Sequence, residues 1–258
     1  MGLARASLGM GRPAPRCTSS TFRCHDGGMA IGFDEFSRKH SQLVHYAANG
    51  VDERRVAEAG LLSVTALLQT LADVSGRVKW RPLGQGDWRE ADWEELNRRP
   101  RGRDQLEVQG SDGRGGVLND QGPLTLRGLT TLHERGRLLG GLNPGDWIAA
   151  LNARVYFWAD EAMRKTFRAK YERGGRLQAI VLVTAQMPES LRQKIRVSKI
   201  NGGAINGFAE RGPDTYAPLA SVGFRLSQVK EITIEGRVTP AELRACGAGD
   251  WLRRLLAE

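Results

Sequence analysis

Cysteine is scarce: Cys17, Cys24 and Cys246 are the only three in 258 residues, an odd number with no CxxC pair among them. That excludes a disulfide scaffold, and with only four scattered histidines it leaves no zinc-like spacing, so no metal is expected. A reducing, cytoplasmic setting is the expectation. Long apolar runs are lacking as well. Ala179 to Val183 is one of the longest and is strand-sized, against the ~18 residues of a membrane span, so no membrane partner is expected. GxSxG, HExxH, a phosphate-binding P-loop and a cysteine–histidine nucleophile pair are also missing, which removes the covalent and metal-assisted hydrolases that those motifs mark.

What is present fits a soluble globular chain: 40% apolar and 26% charged residues, long enough for one large or two small domains. The net charge of +9 is spread among acids, so a polyanionic partner is allowed and not required. Residues 1–28 hold four arginines and one acid, Asp26, without periodicity. A disordered tail, a transit-like leader and an upstream extension of a protein starting at Met29 compete there, and the last is favoured. Without them the charge is (38−4)−(29−1) = +6.

Along the rest of the chain the elements can be read from punctuation and period. An amphipathic turn at Phe33–Phe36 precedes a strand over Gln42–Ala47, a helix capped by Asp52 that stops at Gly60, and a helix capped by Ser63 with Val64, Leu67, Leu68 and Leu71 on one face. Residues 76–130, where Trp80, Trp88 and Trp93 sit among charges, read as a polar insertion. Its Arg98–Arg103 run is a solvated loop or a nucleic-acid patch. Asn143-Pro144-Gly145-Asp146 caps a helix carrying Trp147, Ile148 and Leu151, which runs into the aromatic strand Arg154–Trp158. A polar helix over Glu161–Arg173 and a strand over Leu177–Thr184, buried on both faces, should follow. Then come a short helix near Glu189, a strand over Arg196–Ile200 and the glycine-rich loop Asn201–Gly207. Last are a turn over Glu210–Tyr216, a half-exposed strand over Gln228–Val238, and a closing helical stripe at Trp251–Leu256.

The polar and aromatic residues left at strand edges are His45, Tyr156, Asn201, Arg211, Asp214 and Thr215. Each has a structural alternative: a satisfied histidine, core aromatics, a positive-φ turn at Asn201, a surface ion pair at Arg211, a turn cap at Asp214. Such a set suits an enzyme that positions a reactive cosubstrate rather than one that attacks it covalently.

Leu43-Val44-His45-Tyr46 with Val56–Ser63 resembles the opening strand and helix of DarT-like and rifampin-modifying ADP-ribosyltransferases, and Arg154–Trp158 is similar to their second, aromatic motif. More narrowly, several motifs in shared order over about residues 40–240 resemble a bacterial family of unknown function, DUF7002. They are Asp120-Gln121, Asp146-Trp147 with Leu151-Asn152, Val155–Trp158, Ser198–Gly202, Arg211-Gly212 with Asp214–Tyr216, and Val229–Ile234.

The resemblance implies an α+β fold in which split, curved β-sheets flanked by helices form a cleft for NAD as a substrate, within a single domain over 29–258. It implies His45, Tyr156 and Asp214 as catalytic residues. His45, Tyr46, Tyr156, Phe157, Trp158, Asn201, Arg211 and Thr215 would bind the dinucleotide. The superfamily's late-strand glutamate has no counterpart between Tyr216 and Val229, so the acid must come from Glu210, Asp214 or Glu231, with Asp214 preferred. Asp160 stands where an arginine is expected. The implied activity is ADP-ribosyl transfer to an acceptor, nucleic acid foremost, by a toxin or defence effector with a neutralising antitoxin as partner. A non-catalytic nucleotide- or nucleic-acid-binding module is the alternative.

Overall fold

Strand pairing sorts the chain into four antiparallel groups. The computed structural model describes residues 30–47, 53–119, 121, 124–158, 165, 178–203 and 209–248. The extension over 1–28, the Asp52 cap, the helix expected over Glu161–Arg173 apart from Lys165, and the stripe at Trp251–Leu256 lie outside the described residues. The helices are α1 (Phe33–Lys39), α2 (Glu53–Ala59), α3 (Val64–Leu71), α4 (Trp93–Arg98), α5 (Leu126–Glu134), α6 (Pro144–Asn152), α7 (Glu189–Arg192) and α8 (Pro240–Leu243). The strands are β1 (Gln42–Ala47), β2 (Leu61–Leu62), β3 (Arg77–Pro82), β4 (Arg89–Asp92), β5 (Leu106–Gln109), β6 (Gly115–Leu118), β7 (Arg154–Phe157), β8 (Gln178–Val183), β9 (Ile195–Ser198), β10 (Ala217–Pro218), β11 (Glu231–Glu235) and β12 (Arg237–Val238).

The protein is therefore α+β, with several small antiparallel sheets and no barrel among the described residues. Two sheets have four strands, ordered β10-β9-β11-β7 and β4-β3-β5-β6; β1-β8 and β12-β2 are two-stranded. A bridge between Val44 and Trp158 ties the end of β7 to β1. No described helix is long and apolar enough to cross a membrane.

Caps fall where the sequence places them. The Ser63 hydroxyl accepts from Ala66 N at 3.1 Å, starting α3. At α6, Asn143 Oδ1 accepts from Asp146 N at 2.9 Å while Asp146 Oδ2 accepts from Asn143 N at 3.2 Å. This reciprocal box contributes about 1 kcal/mol and, with Pro144 at the first helical position, fixes where α6 begins. Gly60 ends α2 at φ +81°, and an added Cβ would lie 2.0 Å from the Val238 carbonyl oxygen. Only glycine lets α2 close against β12.

One expectation gains detail and one is corrected. The polar stretch over 76–130 carries strands: β3 alternates outward Arg77 and Lys79 with buried Val78 and Trp80. Those inward residues join Leu67, Leu68 and Leu71 of α3, Leu96 of α4 and Leu106, Val108 and Leu118 in a core of their own. Charge on the outer positions hid a period-two pattern that short strands carry through few residues. The correction concerns β8. Its apolar run pairs with β1 alone among the described strands, and of its residues with described burial Ile180 and Leu182 are buried while Ala179 is exposed. The strand with neighbours on both edges is β11, between β9 and β7, and Ile232, Thr233 and Ile234 are all buried.

Candidate active site

The β10-β9-β11-β7 sheet has one apolar and one polar face. Residues directly opposite in register share a face. Ile232 opposes Phe157 and Val197, and Ile234 opposes Val155 and Ile195. These six line the main core with α1, α2, β1 and β8. Alternation then sends Glu231, Thr233 and Glu235 to the other face, with Tyr156, Arg154, Arg196 and Ser198 as their opposites. That face is not left to water: Thr233 and Ser198 are fully buried. Helix α6 and Tyr216 pack over Tyr156 with Trp147, Ile148 and Leu151.

Tyr216 is wedged there. Its ring stacks on Trp147 at 6.2 Å and 23°, the Arg154 guanidinium lies 4.5 Å from its centroid, and Tyr156 meets it edge-on at 6.4 Å. The Tyr216 hydroxyl donates to Glu231 Oε2 at 2.6 Å. Tyr156 donates to the Leu151 carbonyl at 3.1 Å. Each phenol has one proton and both are used, so the 3.5 Å approach of the two hydroxyls carries no further strong bond. Glu231 Oε2 also accepts from Gly202 N at 3.0 Å. A Cβ at Gly202 would sit 2.2 Å from the Tyr216 hydroxyl oxygen, so the loop after β9 reaches the carboxylate because that position has no side chain.

Burial pushes the Glu231 carboxyl above its usual range, against the opposing pull of the Tyr216 and Gly202 hydrogen bonds and of Arg154 and Arg211. Burial holds both phenols above theirs, reinforced at Tyr156 by the charge of Glu231 and at Tyr216 by Tyr156 and then Glu231. The result is one half-buried carboxylate, two phenols and two guanidiniums in mutual electrostatic reach. Arg211 is 1% exposed. Its guanidinium donates to the Ala209 carbonyl at 2.5 Å, and its backbone pairs with Arg137 and Leu139. Burial weakens its charged form, while Tyr216 and Glu231 favour it.

Tyr156 and Arg211 thus meet in one cluster, whose acid is Glu231. Asp214, the preferred acid, stands exposed on the turn Pro213–Thr215 and makes no hydrogen bond or ion pair among the described residues. Glu210 is spent on Arg137 at 3.2 Å. The Thr215 hydroxyl accepts from Gly212 N at 2.8 Å, a turn-closing bond rather than a ligand contact. Phe157 is corrected outright: at 4% exposure it is core and cannot stack on a flat ligand. Trp158 is half-buried and pairs with Val44 through its backbone, and Tyr46 is half-buried on β1 opposite Ala179. Asn201 is exposed beside Gly202, and the loop beyond Gly203 lies outside the described residues as far as Phe208.

His45 reaches the group only through the backbone. Its Nδ1 donates to the Tyr156 carbonyl at 3.0 Å, and its ring lies 5.8 Å from Phe157. Burial lowers its pKa against the opposing effect of that bond, favouring a neutral imidazole that braces β7. The described residues hold no group of three or more His, Cys, Asp or Glu placed to bind a metal.

The signal for Glu231 was present in Lys230–Glu235: alternation puts Glu231 and Thr233 on one side. Nothing local says that Tyr216 covers that side.

A model of a family of unknown function, DUF7002, matches residues 83–243. The matched span contains Tyr156, Gly202, Arg211, Tyr216 and Glu231; β1 and His45 fall before it. No curated protein and no solved structure matches the chain. Because the match covers well over half of the sequence, the chain belongs to the DUF7002 family.

Proposed function

We propose that the chain is an NAD-dependent ADP-ribosyltransferase whose acid is Glu231, acting as a toxin or defence effector on a nucleic-acid acceptor. The observation that carries the reading is the coincidence of one raised-pKa carboxylate with two guanidiniums and two phenols on the covered polar face of the sheet. Cleaving the bond between nicotinamide and ribose builds positive charge at the anomeric carbon, and a preorganised carboxylate in a water-poor site is the group that stabilises it. Nicotinamide departs with the bonding pair, the acceptor oxygen or nitrogen forms the new bond to that carbon, and Glu231 takes the acceptor's proton. Arg154 and Arg211 supply charge for a pyrophosphate, and Tyr156 and Tyr216 hold the carboxylate's orientation.

The expected result is nicotinamide release from NAD by the wild type, reduced in Tyr156→Phe and lowered by about 10²–10³-fold in Glu231→Gln. Tryptophan quenching should accompany NAD addition, since Trp147 stacks on Tyr216. A wild type that neither releases nicotinamide nor is quenched by NAD sinks the reading. One observation favours a second reading, a nucleotide-binding module without turnover: Glu231 Oε2 is already engaged by Tyr216 and Gly202. Quenching without release selects it.

A further inference from the structure

We infer that a cleft between α1 and the Arg225–Gln228 turn binds a nucleoside monophosphate. The cleft encloses about 480 Å³, within the range of small-molecule sites. Its floor is Ile31 and Leu226, both buried in the main core on the apolar side of the β10-β9-β11-β7 sheet. Glu231 stands on the polar side of that sheet, so the cleft is separate from the candidate active site. Both walls are fixed by hydrogen bonds. Ile31 N donates to the Leu219 carbonyl at 2.9 Å, and His40 N donates to the Phe36 carbonyl at 2.8 Å where α1 ends. Across from them Gln228 Oε1 accepts from Arg225 N at 2.9 Å, and Gln228 N donates to the Arg225 carbonyl at 2.9 Å. Walls set in advance spare a ligand the cost of ordering them.

The polar groups that line the cleft are unspent. Lys39 and Arg225 are exposed, and neither side chain makes a hydrogen bond or ion pair among the described residues. Glu35 stands one turn before Lys39 on α1, the spacing of a helical ion pair, yet the two do not pair. Phe224 is half-buried against the core, with no aromatic ring or guanidinium stacked on it among the described residues. Phe33 on α1, by contrast, is covered by Arg192 at 4.1 Å. Two unneutralised cations in one cavity match a phosphate dianion better than a single carboxylate. Inorganic phosphate would leave Phe224 and the apolar floor unused, and an aliphatic acid would set hydrocarbon against Glu35. A nucleoside monophosphate uses every feature. Its phosphate meets Lys39 and Arg225, its base lies against Phe224 and the floor, and its ribose hydroxyls donate to Glu35.

This inference does not depend on the transferase reading. The test is calorimetric titration of adenosine 5′-monophosphate into the full chain, without NAD. Lys39→Gln/Arg225→Gln should bind at least about tenfold more weakly, as should adenosine offered to the wild type, because each removes the charge-assisted bonds to phosphate. Phe224→Leu, which keeps an apolar side chain and removes the π-face, should lose about fivefold or more. Glu231→Gln should bind as the wild type does. Circular dichroism checks that each variant is folded, and Lys39→Arg/Arg225→Lys, which keeps both charges, should retain binding. The inference is overturned if the nucleotide does not bind, if the wild type and the double glutamine variant bind it equally, or if inorganic phosphate binds as tightly. Loss of binding in Glu231→Gln would also overturn it, by moving the nucleotide to the polar face of the sheet.

Discussion

Glu231→Gln should lose activity and gain stability in the same protein. Nicotinamide release should fall by about 10²–10³-fold, the scale of removing a positioned carboxylate from a transition state. The stability effect has the opposite sign. Burial raises the folded-state pKa of Glu231 above its ordinary 4.5, so the native state binds a proton that the unfolded chain gives up more readily. Stability from this group is complete below pH 4.5 and drains away as pH rises through the folded-state value. Glutamine accepts from Tyr216 and Gly202 through its carbonyl oxygen and carries no charge to bury. Thermal melts of wild type and variant should therefore coincide near pH 4, with the variant higher by roughly 2–5 °C at pH 7. A variant that melts lower at pH 7 would make Glu231 a structural anchor, and unchanged release would remove it from the chemistry.

Gly202→Ala should be the costliest small substitution at the site. The new methyl would sit 2.2 Å from the Tyr216 hydroxyl oxygen and 3.1 Å from Leu151 Cδ2. Tyr216 cannot yield, held between Trp147 and Arg154, so the loop must lift and give up its bond to Glu231. Overpacking and a lost hydrogen bond to a charged group together cost about 2–4 kcal/mol, read as a lower urea midpoint at unchanged m. Tyr216→Phe removes the oxygen in the way. In the double variant the two losses should fall short of additive by about 1 kcal/mol. Strict additivity would mean that the loop and Tyr216 do not press on each other.

What could be read along the chain was whatever is stored locally. Asn143-Pro144 and Ser63 start α6 and α3, and Gly60 ends α2, because caps and left-handed glycines act on neighbours a few residues away. Arg154–Phe157 was readable as a strand from its β-branched and aromatic run. The α+β class was implied by the family resemblance, and these pieces agree with it. Three features needed the third dimension. Trp80 looked like a solvated aromatic until four short strands closed over it. The apolar run of β8 suggested a central strand, yet that place goes to β11, through pairings with β9 and β7 that lie tens of residues away. Asp214 was preferred over Glu231 by proximity to a motif, whereas the carboxylate placed beside Tyr156 is Glu231, held there by Tyr216, which is distant from Tyr156 and Trp147 in the chain and adjacent to them in space.

The bond from the Gly202 amide to the carboxylate gives the site a built-in spectroscopic reporter. An amide proton held by an anion resonates downfield and is sheltered from exchange with water, and both effects relax when the acceptor takes up a proton. One nuclear resonance, followed through a pH titration, would display the ionisation of Glu231 directly, and the same peak should move when a sugar hydroxyl comes to compete for that oxygen.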